Sequence, residues 1–252
     1  MPEFRSFRAE SIVLKHHDWG EADRILTVFT REHGKLRVIA KGVRKIRSRR
    51  AGHLEPFTHV AIQLAKSKDM PIVTQADTLE SFSVLREDLD AIGSASYVVE
   101  LLDKFTYQEG ENVSIFSLLK RTLERLAAAR VPTALVLRYF EMRLLDLSGF
   151  RPELFVCVVC GEKIVAENQY FSAGQGGVVC PRSASGMSGL VPISVDALRF
   201  LRHFQRSSFS EATRARPSQE ADRDMEVVMQ HYITYVLERG LNTPKFIKKM
   251  KN

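Results

Sequence analysis

Residues 35–41, KLRVIAK, alternate in character. Leu36, Val38 and Ala40 fall on one face, and Lys35, Arg37, Ile39 and Lys41 fall on the other. A period of two predicts a strand with one buried face. ESIVLKHH, DRILTVFTREHG, HVAIQLAK and PIVTQADTLESF add four more strand-like runs before residue 83, with turns expected at Gly34 and at SKDMP. Five short strands in about eighty residues predict a small closed sheet, for which a barrel of the OB type is one solution. The period then lengthens to that of a helix. Tyr97, Val98, Leu101, Leu102 and Phe105 share one stripe, and Phe116, Leu119, Leu123 and Leu126 share another. A third helix, TALVLRYFEMRLLDLSG, opens after Pro132 and stops at Gly149. It is apolar over most of its circumference, so it is expected at the buried centre of a bundle.

From residue 156 glycine and serine thicken, and two short β-like runs appear, NQYFSA and GGVVC. Helical spacing returns in SVDALRFLRHF and DMEVVMQHYITYVLERG, with RSSFSEATRARPSQEAD read as a loop between them and KFIKKMKN as a fraying basic tail. The expected class is α+β multidomain. A small β domain (1–82), for which an OB-fold β-barrel is one solution, precedes a central helical bundle (84–155 and 191–252) interrupted by a zinc-ribbon-like segment that is degenerate at its last ligand (156–190).

Charge changes this picture. The 252 residues carry a formal charge of +7. Lys35, Arg37, Lys41, Arg44, Lys45, Arg47, Arg49 and Arg50 all lie within residues 35–50, where there is no Asp or Glu. Taking those eight from the 37 basic residues leaves 29 against 30 acidic ones, a net of −1. The whole excess sits in one window. Such a block repels itself unless solvent or an anion relieves it, and its position beside a strand favours a phosphate-binding surface over a solvated loop. No run approaches the roughly 20 apolar residues of a membrane span, and the charged start MPEFRSFRAESIVL lacks a secretory core. A soluble protein that stays in the cytoplasm is expected.

Three cysteines give no complete disulfide framework, which fits a reducing compartment. Cys157-x-x-Cys160-Gly and, 19 residues on, Cys180-Pro-Arg-Ser183 have the spacing of a zinc ribbon with its last ligand replaced. Structural zinc takes four ligands, mostly thiolate or imidazole, and a serine hydroxyl is a poor one. Two readings stand: zinc on Cys157, Cys160 and Cys180 with His203 or another group as the fourth ligand, or three reduced thiols in a ribbon that no longer needs metal.

GxxxxGK[ST], GxGxxG, HExxH and GxSxG are all missing, so the usual phosphate, dinucleotide and hydrolase sites have no support. Asp18, Glu21 and Asp23 could be a Mg²⁺ cluster in a nuclease, but a sequential group like this is expected to shape a turn. Binding is the better class. An RNA-binding OB-fold protein is the alternative, since the same strands and charges would serve it.

AESIVLKHHDWGEADRILTVFTREHGKLRVIAKGVRK, followed by SRRAGHLEPF, resembles the N-terminal domain of the RecO family of bacterial recombination and repair proteins. RYFEMRLLDLSGFRPELFVCVVCG resembles that family's helical segment where it runs into its zinc motif. The resemblance implies an OB-fold, a helical domain and an inserted zinc ribbon. It implies binding of single- and double-stranded DNA, annealing of complementary strands coated by single-strand-binding protein, and help from RecR in loading the RecA recombinase. Cys157, Cys160 and Cys180 match three of the family's four cysteines, and Ser183 departs at the fourth.

The expected mechanism is electrostatic. Lys35, Arg37 and Lys41 line the barrel face, while Arg44, Lys45, Arg47, Arg49 and Arg50 sit on a mobile loop that clamps the phosphate backbone, without sequence preference. Trp19 and Phe29 are candidates to stack on bases, though both also suit a core. The acidic tail of single-strand-binding protein is expected in a helical groove near Lys120, Arg121 or Arg138.

Overall fold

A computed structural model of the chain describes residues 6–106, 110 and 112–241. The basic tail at 245–252 lies outside these. The chain divides into two compact units, residues 1–133 and 134–252.

In the first unit, strands β1 (Ser6–Trp19), β2 (Asp23–Thr30), β3 (Gly34–Ala40), β4 (His59–Ala65) and β5 (Ile72–Glu80) close into a barrel in the order β1-β2-β3-β5-β4. β1 is long enough to serve two neighbours. Its first half pairs with β4 and its second half with β2, and a bulge between Val13 and Lys15 bends it from one to the other. Closure comes from the parallel pair β3–β5 at Ile39 and Ile72, where the Ile39 amide donates to Pro71 O at 2.9 Å.

The alternation read in 35–41 sets the inner face. Val38 and Ala40 join Val13, Leu26, Ile62 and Leu64 in the barrel core, all essentially without exposure, with Leu36 packed against them. The outer face is half covered. Helices α1 (Leu89–Phe105) and α2 (Val113–Ala128) belong to the same unit, and Phe116 of α2 lies 6.4 Å from the ring of Phe29 and 6.0 Å from that of His59. Phe29 is therefore core between barrel and helix, 1% exposed, and is no stacking surface.

The second unit opens with α3 (Thr133–Leu147), of which nine residues are buried, among them Phe140, Leu144 and Leu145. Gly149 ends it as expected. At φ +82° it turns the chain left-handed, so that Gly149 N–H reaches Asp146 O and Phe150 N–H reaches Leu145 O. A three-stranded sheet follows, β6 (Gln169–Ser172), β7 (Gly177–Val179) and β8 (Leu190–Ile193), in the order β7-β6-β8. Gly177 is required there, because a Cβ would lie 2.5 Å from Glu153 O. The remaining helices are α4 (Pro181–Ala184), α5 (Val195–Arg206), α6 (Phe209–Ala212) and α7 (Gln219–Leu241).

Two sequence expectations change here. The segment read as a loop at 206–222 contains α6. Its start is a capping box, Ser208-Phe209-Ser210-Glu211, in which Ser208 and Glu211 satisfy each other's backbone amides. β8 was not expected as a strand. Only four residues long and containing Pro192, it sits at the sheet edge, where a missing N–H costs no ladder bond.

Candidate nucleic-acid interface and cysteine site

β3 delivers the basic segment to the rim of the barrel, and the following turn is held firmly in place. Val43 is 1% exposed and belongs to the barrel core. Asp23 Oδ1 accepts the Gly42 amide at 2.6 Å, and the Arg44 amide donates to Ala22 O at 2.9 Å. Lys45 O accepts the Ser48 amide at 2.8 Å. Arg50 folds inward, with one guanidinium nitrogen on Val73 O and the other on Lys41 O at 2.7 Å. Where a mobile loop is expected the structure has a turn whose backbone polar groups find partners in the β1–β2 hairpin and in the turn itself.

The eight basic residues therefore separate into three groups. Lys35 is 12% exposed and is committed to Asp103 of α1, with Nζ 2.9 Å from Oδ1 and 2.6 Å from the Asp103 carbonyl oxygen. It does not line an open face, since α1 covers it. Burial pushes the Asp103 carboxyl upward, but its bonds to Lys15 and Lys35 prevail and hold it below the usual carboxylate range. Arg50 is a structural brace. Arg44 is intermediate, with Nε 3.2 Å from Asp18 and Nη1 3.3 Å from Gly20 O. The other five differ. Arg37, Lys41, Lys45, Arg47 and Arg49 are exposed, and their side chains make no hydrogen bond or ion pair among the described residues.

The acidic group at 18–23 shapes this turn as expected. Asp18 pairs with Arg24 and Arg44, and Asp23 caps Gly42. Among the described residues, the group with metal-holding geometry is Cys157, Cys160 and Cys180. Trp19 ends β1 beside the same turn and is 55% exposed. Sequence reasoning passed over Ile46. It stands fully exposed at the turn, and its only signal in the sequence is one large apolar residue inside a charge run.

The three cysteine sulfurs lie within 4.8 Å of one another. Cys160 Sγ and Cys180 Sγ are 3.8 Å apart, about the edge of a tetrahedron with metal–sulfur bonds of about 2.3 Å. The backbone prepares the site. Burial raises the Cys157 thiol, yet amides of Cys160, Cys180 and Val159 together with the Cys160 thiol outweigh it and bring it down to about 6. The Cys180 amide donates to Cys157 Sγ at 3.4 Å. Ser183, which stands where the ribbon spacing calls for the fourth ligand, has its Oγ 3.3 Å from Cys180 Sγ. His203 does not complete the set. Its Nε2 faces Glu211 O at 3.2 Å and its Nδ1 faces Ser207 Oγ at 3.0 Å, so both nitrogens are engaged on α5 and α6.

Residues 4–82 match the family described as Recombination protein O N terminal, and residues 86–245 match Recombination protein O C terminal. The chain belongs to the RecO family. A relative from Roseiflexus sp. (strain RS-1), named DNA repair protein RecO, is 37% identical over 98% of this chain and 87% of its own length. Relatives of the same name are 36% identical in Dehalococcoides mccartyi (strain ATCC BAA-2266 / KCTC 15142 / 195), over 95% of this chain and 94% of theirs, and 32% identical in Bacillus pumilus (strain SAFR-032), over 97% and 94%. The resemblance in the sequence thus extends along nearly the whole RecO-family chain. No described helix is long and apolar enough to cross a membrane.

The residues considered for an acidic peptide are not equivalent in this RecO-family structure. Arg138 is buried on α3 against Glu141, Nη1 to Oε2 2.6 Å, and cannot reach an external peptide. Lys120 lies 3.9 Å from Glu124 one turn along α2, and Arg121 is exposed.

Proposed function

We propose that this chain is a non-enzymatic DNA-binding mediator of recombinational repair. It binds single- and double-stranded DNA and anneals complementary strands. With RecR it helps load RecA onto DNA coated by single-strand-binding protein. It works in the cytoplasm, at the nucleoid. The observation that carries this reading is the set of five exposed cations without partners among the described residues, Arg37, Lys41, Lys45, Arg47 and Arg49, on β3 and the turn behind it. Two complementary strands repel each other as polyanions. A rim that neutralises their phosphates lowers that repulsion and raises their local concentration, and backbone contacts leave sequence to base pairing. We assign residues 1–82 to DNA binding, residues 84–155 and 191–252 to a helical domain, and 156–190 to a zinc-ribbon-like insertion. The tail of single-strand-binding protein docks near Lys120 or Arg121 in this reading.

Cys157, Cys160 and Cys180 are the residues that would hold zinc, with Ser183 or a solvent oxygen in the fourth place. The metal would then cross-link the two halves of the ribbon, a structural role and not a catalytic one. Nothing favours RNA over DNA in the phosphate contacts themselves, so a DNA–RNA competition separates the alternative of an RNA-binding OB-fold protein. The main test is salt dependence. Five neutralised phosphates on a single strand give a slope of log K against log salt of roughly −3.5. Replacing Lys45, Arg47 and Arg49 with alanine should remove about three-fifths of that slope and slow annealing. An unaltered slope removes the rim from the mechanism.

A further inference from the structure

Charge neutralisation explains how the rim holds a backbone but leaves Ile46 without a purpose. Its side chain is 105% exposed, more open than any other large apolar residue described. It is flanked in sequence by Arg44, Lys45 and Arg47, three cations that would solvate a phosphate-facing turn without help. The turn cannot hide it. Val43 anchors the turn in the barrel core, Asp23 fixes Gly42, the Arg44 amide is tied to Ala22 O, and Arg50 clamps the far end to Val73 O and Lys41 O. An apolar side chain is thus held out in water on a rigid mount.

The same bonds bring a second exposed apolar residue to the place. The Arg44 guanidinium contacts Asp18 and the carbonyl of Gly20, and its amide contacts Ala22. The basic turn therefore lies along the β1–β2 hairpin, whose end carries Trp19, 55% exposed. Trp19 is the only tryptophan in the chain. Two large apolar side chains, one of them an aromatic plane, border a turn bearing Lys45, Arg47 and Arg49. That combination fits a ligand with anionic and flat apolar parts repeating at short intervals. Nucleic acid with unstacked bases has this character. A duplex offers the same phosphates but keeps its bases stacked and inaccessible from the backbone side.

We propose that Trp19 and Ile46 form an apolar base-contact site beside the cationic turn, which takes unpaired bases of single-stranded nucleic acid and gives the rim a preference for single strands over duplex. The site rests on the phosphate-binding reading above and refines it. Phosphates supply attraction shared by both forms of DNA, and the Trp19–Ile46 pair supplies the discrimination.

The chain's single tryptophan makes the test direct. The full-length protein is titrated with a single-stranded oligonucleotide, with a blunt duplex of the same length, and with an abasic single strand, following Trp19 fluorescence and, separately, anisotropy of labelled DNA. Trp19 emission should change with the single strand and stay nearly flat with the duplex and the abasic strand. Ile46→Asn, at an exposed position that does not threaten folding, should weaken single-strand binding about tenfold while leaving the duplex and abasic affinities and the salt slope unchanged; covering an aliphatic side chain of this size is worth about that much. Ile46→Val should retain most of the preference. If DNA binds with the expected salt slope but Trp19 emission does not respond to the single strand, or Ile46→Asn binds it like the parent, this base-contact site is wrong while the phosphate rim stands. If neither form of DNA binds, both readings fall together.

Discussion

On the barrel rim, five cations stand on β3 and on a turn tied down by backbone hydrogen bonds, and the loss of any one leaves four. In the ribbon, three sulfurs converge within 4.8 Å, and Ser183 stands where the spacing of a zinc ribbon calls for a fourth ligand. A rim of the proposed kind would gain affinity by adding many weak, screened, interchangeable contacts, so it should tolerate substitution and respond to salt. A zinc site on the three cysteines would gain affinity by closing a coordination shell, so ligand number and type would decide nearly everything. On the proposed reading one molecule carries a site that is redundant and a site that is one ligand short.

The largest expected effect closes that shell. Ser183→Cys supplies the missing thiolate next to Cys180, where the hydroxyl oxygen already sits 3.3 Å from Cys180 Sγ. Zinc affinity measured by competition with a chromophoric chelator should rise by at least about 100-fold, since even outer partners of a zinc site are worth 10- to 100-fold. Ser183→Ala separates the remaining cases. Unchanged affinity assigns the fourth position to solvent, and a drop assigns it to the Ser183 hydroxyl. No gain in Ser183→Cys would mean that ligand number does not limit the site, and the contrast with the rim would collapse.

A smaller effect divides the rim itself. Arg50 and Arg47 are both arginines of the same turn and look alike in the sequence. Arg50 spends its guanidinium on Val73 O and Lys41 O, whereas Arg47 has no hydrogen bond or ion pair among the described residues. Arg50→Ala should cost about 2 kcal/mol of stability, the worth of a charged donor lost from partly buried carbonyls, and should weaken DNA binding only through the altered turn. Arg47→Ala should leave the thermal midpoint in place and reduce the salt slope by roughly 0.7. Thermal melts and salt titrations on the same two variants check both halves. Equal behaviour in the two assays would show that the division into brace and contact is false.

This division also marks what could be read from the chain. The barrel was legible because strands with one buried face advertise themselves, as Leu36, Val38 and Ala40 do against Lys35, Arg37 and Lys41. The end of α3 was legible because a glycine at that point has a mechanical meaning. The uses of individual cations were not. Lys35 and Arg37 share a face of one strand, and only the arrival of Asp103, 68 residues later, separates a buried ion pair from a free charge. His203 lay within reach of the cysteines in sequence terms, and it was the capping box of α6 that placed Glu211 O against its ring. Long-range partners decide such cases, and a periodicity carries no information about them.

The smallest expected effect concerns acid, and it separates the rim from its foundation. Lysine and arginine keep their charge throughout the neutral and mildly acidic range, so the rim's hold on phosphate should not follow pH there. The barrel beneath it should. His59 is 4% exposed, its Nε2 is 2.8 Å from Glu10 Oε1, and its ring meets Phe116 of α2. Burial lowers its proton affinity, and the bond to Glu10 does not restore it against the added charge of Lys120. The folded imidazole therefore resists a proton that the unfolded chain accepts near pH 6.5. Stability is complete above that value and is lost as pH falls toward the folded pKa. Asp103, Glu10 and Glu55, all held below the usual carboxylate range, contribute stability that is present above about pH 4 and lost only below it. On the acid side the melting temperature should thus decline as pH falls below about 6.5 and again below about 4. His59→Gln, which keeps a donor for Glu10 but no titrating group, should remove the first decline and leave the second. DNA affinity of the folded protein should stay level across the first interval in both forms. A rim that loses its grip on DNA at pH 5.5 while the barrel remains folded would mean that a titrating group belongs to the interface, and the picture of a permanently charged, redundant site would have to be given up.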